Sequence, residues 1–171
     1  PSALTYYNNS TKPLPLVSGT AIDETLGDRV LNVQYSIKES TTSLYWDPSV
    51  STFNTVTEKF MNMFFTNPDV WYSTRPVLRD GYSYGVRMRA TDLSGNAEPL
   101  RTPNTFIYDI SSPTTKIALP QNNWNMSSLP TISGTVADNT GLAGLSKVEL
   151  AVQVDTGTWY SDVSKTFNQG G

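Results

Sequence analysis

The residues able to carry chemistry in this chain are few in kind. Its 171 residues include neither cysteine nor histidine. That excludes thiolate nucleophiles, disulfides, Cys/His zinc sites and any scheme with histidine as general base. Turn carboxylates and aromatic rings remain. Asp23, Glu24 and Asp28 share one turn, Asp92 and Asn96 flank a glycine turn, Asp109 opens a linker, and Asp138 repeats the place of Asp23. Calcium takes six to eight oxygens, many from carboxylates and backbone carbonyls. The same residue types also close turns by bonding their own backbone, and no EF-hand spacing is present. Glycoside hydrolysis needs two acids across a cleft. Asp47, Asp69 and Asp80 sit in separate turns with nothing to bring them together, so the chain reads as non-catalytic. Trp71, Tyr72 and Tyr82 offer flat faces for sugar stacking, or pack in a core or at a sheet edge. Trp46 and Trp159 recur at equivalent places and suit packing between sheets.

The elements that must position these residues are strands. In Leu78 to Asn96 (LRDGYSYGVRMRATDLSGN), Tyr84, Val86, Met88 and Ala90 alternate with Ser83, Gly85, Arg87 and Arg89. Period two marks a strand with one face buried and one in water. Turns at Arg79-Asp80-Gly81 and Asp92-Leu93-Ser94-Gly95-Asn96 bound it, with Gly81 and Gly95 where φ is positive. Val30–Glu39 alternates in the same way, with Leu31, Val33, Tyr35 and Ile37 on one face. Further strands are expected at Ala3–Tyr6, Leu16–Ala21, Ser43–Trp46, Val70–Ser73 and Thr105–Ile110. Residues 49–76 read either as a short helical turn within Glu58–Thr66 or as an irregular strand.

A displacement of 115 residues lays LPLVSGTAIDETLGDRVLNVQYSI (Leu14 to Ile37) on LPTISGTVADNTGLAGLSKVELAV (Leu129 to Val152). Farther on, YWDPSVSTFN (Tyr45 to Asn54) resembles WYSDVSKTFN (Trp159 to Asn168). The expected organisation is one repeat over residues 1–112, its core about 12–112, then a partial second repeat over 113–171. The second repeat should carry strands at Thr115–Leu119, Pro130–Val136, Leu145–Val154 and Thr158–Tyr160, with nothing equivalent to Leu78–Ile110. A half sandwich leaves an open edge and an uncovered apolar face. The second repeat is thus expected to be completed by sequence outside this chain or by another chain.

Composition bounds the partners. The chain is 37% hydrophobic and 16% charged, with net charge −3 and no basic block. Nucleic acid is therefore not an expected partner. No apolar run approaches the roughly 18 residues that span a bilayer. The opening PSALTYY is not a signal peptide, so any export signal would lie outside it.

The pattern P-x-x-SGT-x-x-D, a strand ending in a YW pair, L-x-DG-x-x-Y-x-V-x-x-RATD-x-x-GN and F-x-x-D-x-x-x-P resembles the immunoglobulin-like repeats of large bacterial surface proteins and adhesins. It is also similar to fibronectin type III domains. Their L-x-P-G-x-x-Y tyrosine corner is met by Leu78, Gly81 and Tyr84, with Asp80 in place of proline. The resemblance implies an all-β immunoglobulin-like sandwich and a structural, non-catalytic role in a stalk, adhesin or filament, extracellular or at the cell surface. Its partners would be neighbouring repeats or subunits, and a glycan or a host or cell-surface protein in the alternative reading of a binding module. It implies no cofactor, but marks Asp92, Asp109 and Asp138 as positions for calcium.

Overall fold

Alternating apolar and polar side chains produce strands in the computed structural model, which describes residues 5–7, 16–22, 29–67, 70–74, 76–138, 145–155, 157–161 and 166–169; among these described residues there is no helix. The chain divides into Pro1–Thr114 with Ala137–Ala143, and Thr115–Val136 with Gly144–Gly171.

In the first unit the long strands are β3 (Val30–Glu39) and β9 (Tyr82–Asp92), paired antiparallel. On the outer edge of β9 lies β10 (Asn104–Tyr108), itself paired parallel with β1 (Thr5–Tyr7). The other edge of β3 is shared. Near its end it takes β4 (Leu44–Asp47), which carries β5 (Thr52–Thr55). Farther back it takes β6 (Met61–Asn62). A second sheet holds β2 (Leu16–Thr20), β8 (Val70–Thr74) and β7 (Phe64–Asn67) in that order.

Both sheets contribute to one core. Val33, Tyr35 and Ile37 from β3 and Tyr84 and Val86 from β9 bury with Trp71 from β8. The Tyr35 side chain also hydrogen-bonds Ser73 on β8. Two sheets sharing one core is consistent with a β-sandwich.

The 49–76 stretch contains no helix among its described residues. It forms β5 to β8, and Met63, whose N–H donates to the Val33 carbonyl at 2.8 Å, follows the strand that leaves one sheet for the other. Leu31 is 53% exposed rather than inward. The β3–β9 register shifts between Val30 and Asn32, and such an irregularity re-aims a side chain. The turn expected over Asp23–Gly27 lies outside the described residues.

The second unit holds β11 (Thr114–Leu119) paired with β12 (Ser133–Ala137), and β13 (Trp159–Ser161) paired with β14 (Thr166–Gln169). The expected strand Leu145–Val154 is not continuous. It forms an isolated antiparallel bridge, Gln153 to Trp159, and Tyr160 N–H donates to Val152 O at 2.8 Å.

The two hairpins share a register. In β4–β5, Tyr45 faces Thr55, then Trp46 faces Phe53 and Asp47 faces Thr52, with a shift after Tyr45. In β13–β14, Trp159 faces Gln169, then Tyr160 faces Phe167 and Ser161 faces Thr166, with a shift after Trp159. Each residue of the second set stands 114 places after its counterpart, so Trp159 corresponds to Tyr45 and Tyr160 to Trp46; the two tryptophans expected at equivalent places are one position out of step.

Candidate functional site

The turn entering β9 is the most fully determined site. Tyr84 points inward and is fully buried. Its ring stacks on Phe106 at 5.6 Å and lies 5.5 Å from Phe53. Its hydroxyl accepts the Arg79 N–H at 2.8 Å. This bond locks the loop to the strand that follows it, as a tyrosine corner does. Gly81 turns the chain at φ 76, and its N–H donates to Tyr108 O at 2.8 Å. Leu78 is buried beside them. Burial pushes the Tyr84 phenol up to about 12, against the pull of the Arg79 backbone bond and with a smaller push from the Glu39 charge. Glu39 is itself fully buried. One oxygen accepts from Thr42 at 3.2 Å and lies 3.5 Å from the Arg79 guanidinium; the other has no hydrogen-bond partner among the described residues.

Asp80, standing where the corner pattern has proline, has its own role. Its carboxylate accepts the Ile110 N–H at 2.7 Å and the Ser111 hydroxyl. It clamps the stretch after β10 to the turn before β9. The departure from the pattern was readable in the sequence; its partner thirty residues on was not.

The three calcium positions do not converge. Asp92 closes on its own turn, accepting from Asn96 N–H at 2.7 Å and Asn96 Nδ2 at 2.8 Å, and this bonding lowers its carboxyl. Asp80 and Asp109 lie at the other end of β9, eleven residues long, or roughly 35 Å of extended chain. Asp109 is pushed up, first by burial and then by the charges of Asp138 and Asp80, against a Ser111 backbone bond. Asp80, Asp109 and Asp138 thus share one electrostatic neighbourhood. Among the described residues no group of three or more acidic side chains is arranged to hold a metal ion. Asp23, Glu24, Asp28 and Asp69 lie outside the described residues.

The three candidate aromatic residues also separate. Trp71 is 3% exposed and faces the core. Gly19 makes room for it: a Cβ there would sit 2.3 Å from the indole Cζ2. Tyr82 packs against the core edge with the Arg79 guanidinium 5.8 Å from its ring centre. Only Tyr72, next to inward-facing Trp71, lies on the outer face of its sheet. It pairs at 5.9 Å with Phe64, which is 61% exposed.

A polar strap over the outer face of β3 and β9 was not anticipated. Glu58 accepts from the Ser36 hydroxyl and from Arg87 Nη1 at 3.0 Å. The Arg89 guanidinium sits 4.0 Å from the Phe60 ring centre while its Nε donates to Gln34 Oε1 at 2.9 Å. This covers Ser36, a residue that alternation assigns to water. Nearby, Asp47 accepts from Lys59 and from Ser49, and these bonds hold its carboxyl down at about 2. An open hollow of about 860 Å³, lined by Ile22, Trp71, Met88, Glu98 and Arg101 among others, mixes charges of both signs. Among the described residues Asp92 and Glu98 are the acids that line it, and Asp92 is committed to its turn. The chain matches no protein-family model, no curated protein and no solved structure.

Proposed function

We propose that the chain is a non-catalytic, structural segment of a long extracellular or cell-surface bacterial protein, built from immunoglobulin-like sandwiches in series. The observation that carries this reading is the common register of the β4–β5 and β13–β14 hairpins, including the shift after the first pair. A shared irregularity is harder to reach by chance than a shared strand, because a bulge depends on local sequence. Two further features support the immunoglobulin-like reading. The strand orders β2-β8-β7 and β10-β9-β3-β4 suit the two sheets of that fold, and Tyr84 makes the corner bond.

The mechanism is mechanical. Asp80 ties the stretch leaving β10 back to the turn before β9, so a pull on that stretch meets hydrogen bonds at the sheet before it reaches the strands. Neighbouring repeats are the expected partners. Single-molecule stretching of the chain tests this. The first unit should release as one discrete step of roughly 300–400 Å of contour, at about 3.5 Å per residue. Gradual lengthening with no step would defeat the reading.

The pairing of exposed Phe64 with half-buried Tyr72 favours a second reading, a carbohydrate-binding module. A polysaccharide titration separates the two. Saturable binding that Tyr72→Ala abolishes without lowering the melting point would replace the structural reading.

A further inference from the structure

Just after β10 two carboxylates converge on one residue. Ser111 donates its hydroxyl to Asp80 Oδ2 and its N–H to Asp109 Oδ1, the latter at 3.2 Å. The other oxygen of Asp80 accepts the Ile110 N–H at 2.7 Å. The N–H and hydroxyl of a single serine lie close together, so the two acids that take them are neighbours. A third acid, Asp138, follows β12 and belongs with the first unit, in the segment Ala137–Ala143. Like charges thus come from three segments: the turn before β9, the stretch after β10 and the stretch after β12. The charges that act on Asp109, those of Asp138 and Asp80, are both negative. Arg79, next to Asp80, is turned elsewhere, with its guanidinium 3.5 Å from Glu39 and against the Tyr82 ring. Asp109 makes no ion pair among the described residues, and it is half-buried, where charge is screened less than in open solvent. No group of three acids among those residues is arranged to hold a metal. A proton is the cation that can relieve this crowding.

We propose that Asp109 is a proton-operated latch on the Asp80 clamp: ionised, it pushes against Asp80 and loosens the hold on Ile110 and Ser111; protonated, it stops pushing and the hold tightens. The latch belongs to the clamp alone and does not need the chain to be one of a series. Its direction follows from linkage. Burial and the two neighbouring charges raise the Asp109 carboxyl above its ordinary value. The folded state therefore takes up this proton before the unfolded chain does. The contribution to stability is least favourable above the raised value and improves as pH falls through it toward the ordinary carboxylate value near pH 4. Asp47, held down by Lys59, acts in the opposite sense and loses stability in acid. A local readout is needed to separate the two.

The Ile110 amide supplies that readout, because its N–H is the one that Asp80 holds. Its hydrogen exchange in the whole chain is followed by NMR from about pH 7.5 to 4.5 in chelator, as a protection factor so that the intrinsic pH dependence cancels. Protection should rise about two- to fivefold toward the acid end, the size of one relieved charge contact near a surface. Asp109→Asn keeps an acceptor for Ser111 and lacks the charge, so it should show the acid level of protection at every pH. Asp138→Asn should move the wild-type rise to lower pH, since one of the two charges acting on Asp109 is gone. Protection that stays flat or falls on acidification overturns the latch, as does a rise that survives in Asp109→Asn. A parallel rise at the Arg79 amide, which Tyr84 holds, overturns it too, because the whole unit would then be responding. So does protection at pH 7 that calcium raises and chelator removes, since a metal would be doing the proton's work.

Discussion

Replacing Tyr84 by phenylalanine removes one oxygen from a fully buried ring, and the consequences can be worked through at two pH values. At pH 7 the ring still packs on Phe106 and Phe53. What is lost is the acceptor for the Arg79 N–H at 2.8 Å. An N–H left unpaired in a partly buried place costs about 1–3 kcal/mol. For a unit of this size each kcal/mol moves the melting midpoint by about 4 °C. At high pH a second effect acts on the wild type in the opposite direction. Burial raises the Tyr84 phenol to about 12 in the folded state, against about 10 when unfolded. The unfolded chain therefore loses its proton first. The stability is fully present below pH 10 and is lost as pH rises toward 12, by about 2–3 kcal/mol over that window. Tyr84→Phe cannot ionise and loses this component. Tyr35 is also raised, by burial against its bond to Ser73, so a shallower alkaline fall remains. Urea unfolding followed by tryptophan fluorescence at pH 7, 10 and 12 measures both effects. The variant should be weaker than wild type at pH 7 and should close the gap by pH 12. An unchanged midpoint at pH 7, or a constant gap from pH 7 to 12, would refute the corner bond as the stabilising contact.

Gly19→Ala should destabilise the first unit by about 1–3 kcal/mol, because the new Cβ would sit 2.3 Å from the Trp71 ring and force it to shift; a red-shifted tryptophan emission with a lower midpoint checks it. The Asp47 carboxyl, held at about 2 by Lys59 and Ser49, adds stability that is present above the ordinary carboxylate value near pH 4 and lost as pH falls toward 2. Lys59→Met should flatten that acid limb in a melting series from pH 2 to 6, and an unaltered limb would contradict the assignment. Chelator should leave the melting midpoint unchanged, since Asp92 is closed on Asn96 and lies a strand's length from Asp109. A calcium-dependent rise that Asp109→Asn removes would restore a metal site there.

What the sequence made legible follows from periodicity and local turn chemistry. The alternation over Val30–Glu39 and Tyr82–Asp92 marked the two central strands, because inward and outward side chains follow the pleat without reference to distant residues. Gly81 and Gly95 announced positive φ within their own turns. The misses are long-range. For Trp71 the sequence leaves sugar stacking and core packing both open, and Gly19, fifty-two positions earlier and opposite it, decides for the core. Ser36 reads as solvent-facing until Glu58 crosses above it. Asp80 looks like a weakened corner until Ile110 and Ser111 reach it. Each is a polar or apolar residue whose surroundings depend on a partner at least twenty-two residues away. The 115-residue correspondence differs in kind: on the repeat proposed above, a first copy carries long-range information for the second within the sequence itself, a reading that the common register of the β4–β5 and β13–β14 hairpins supports.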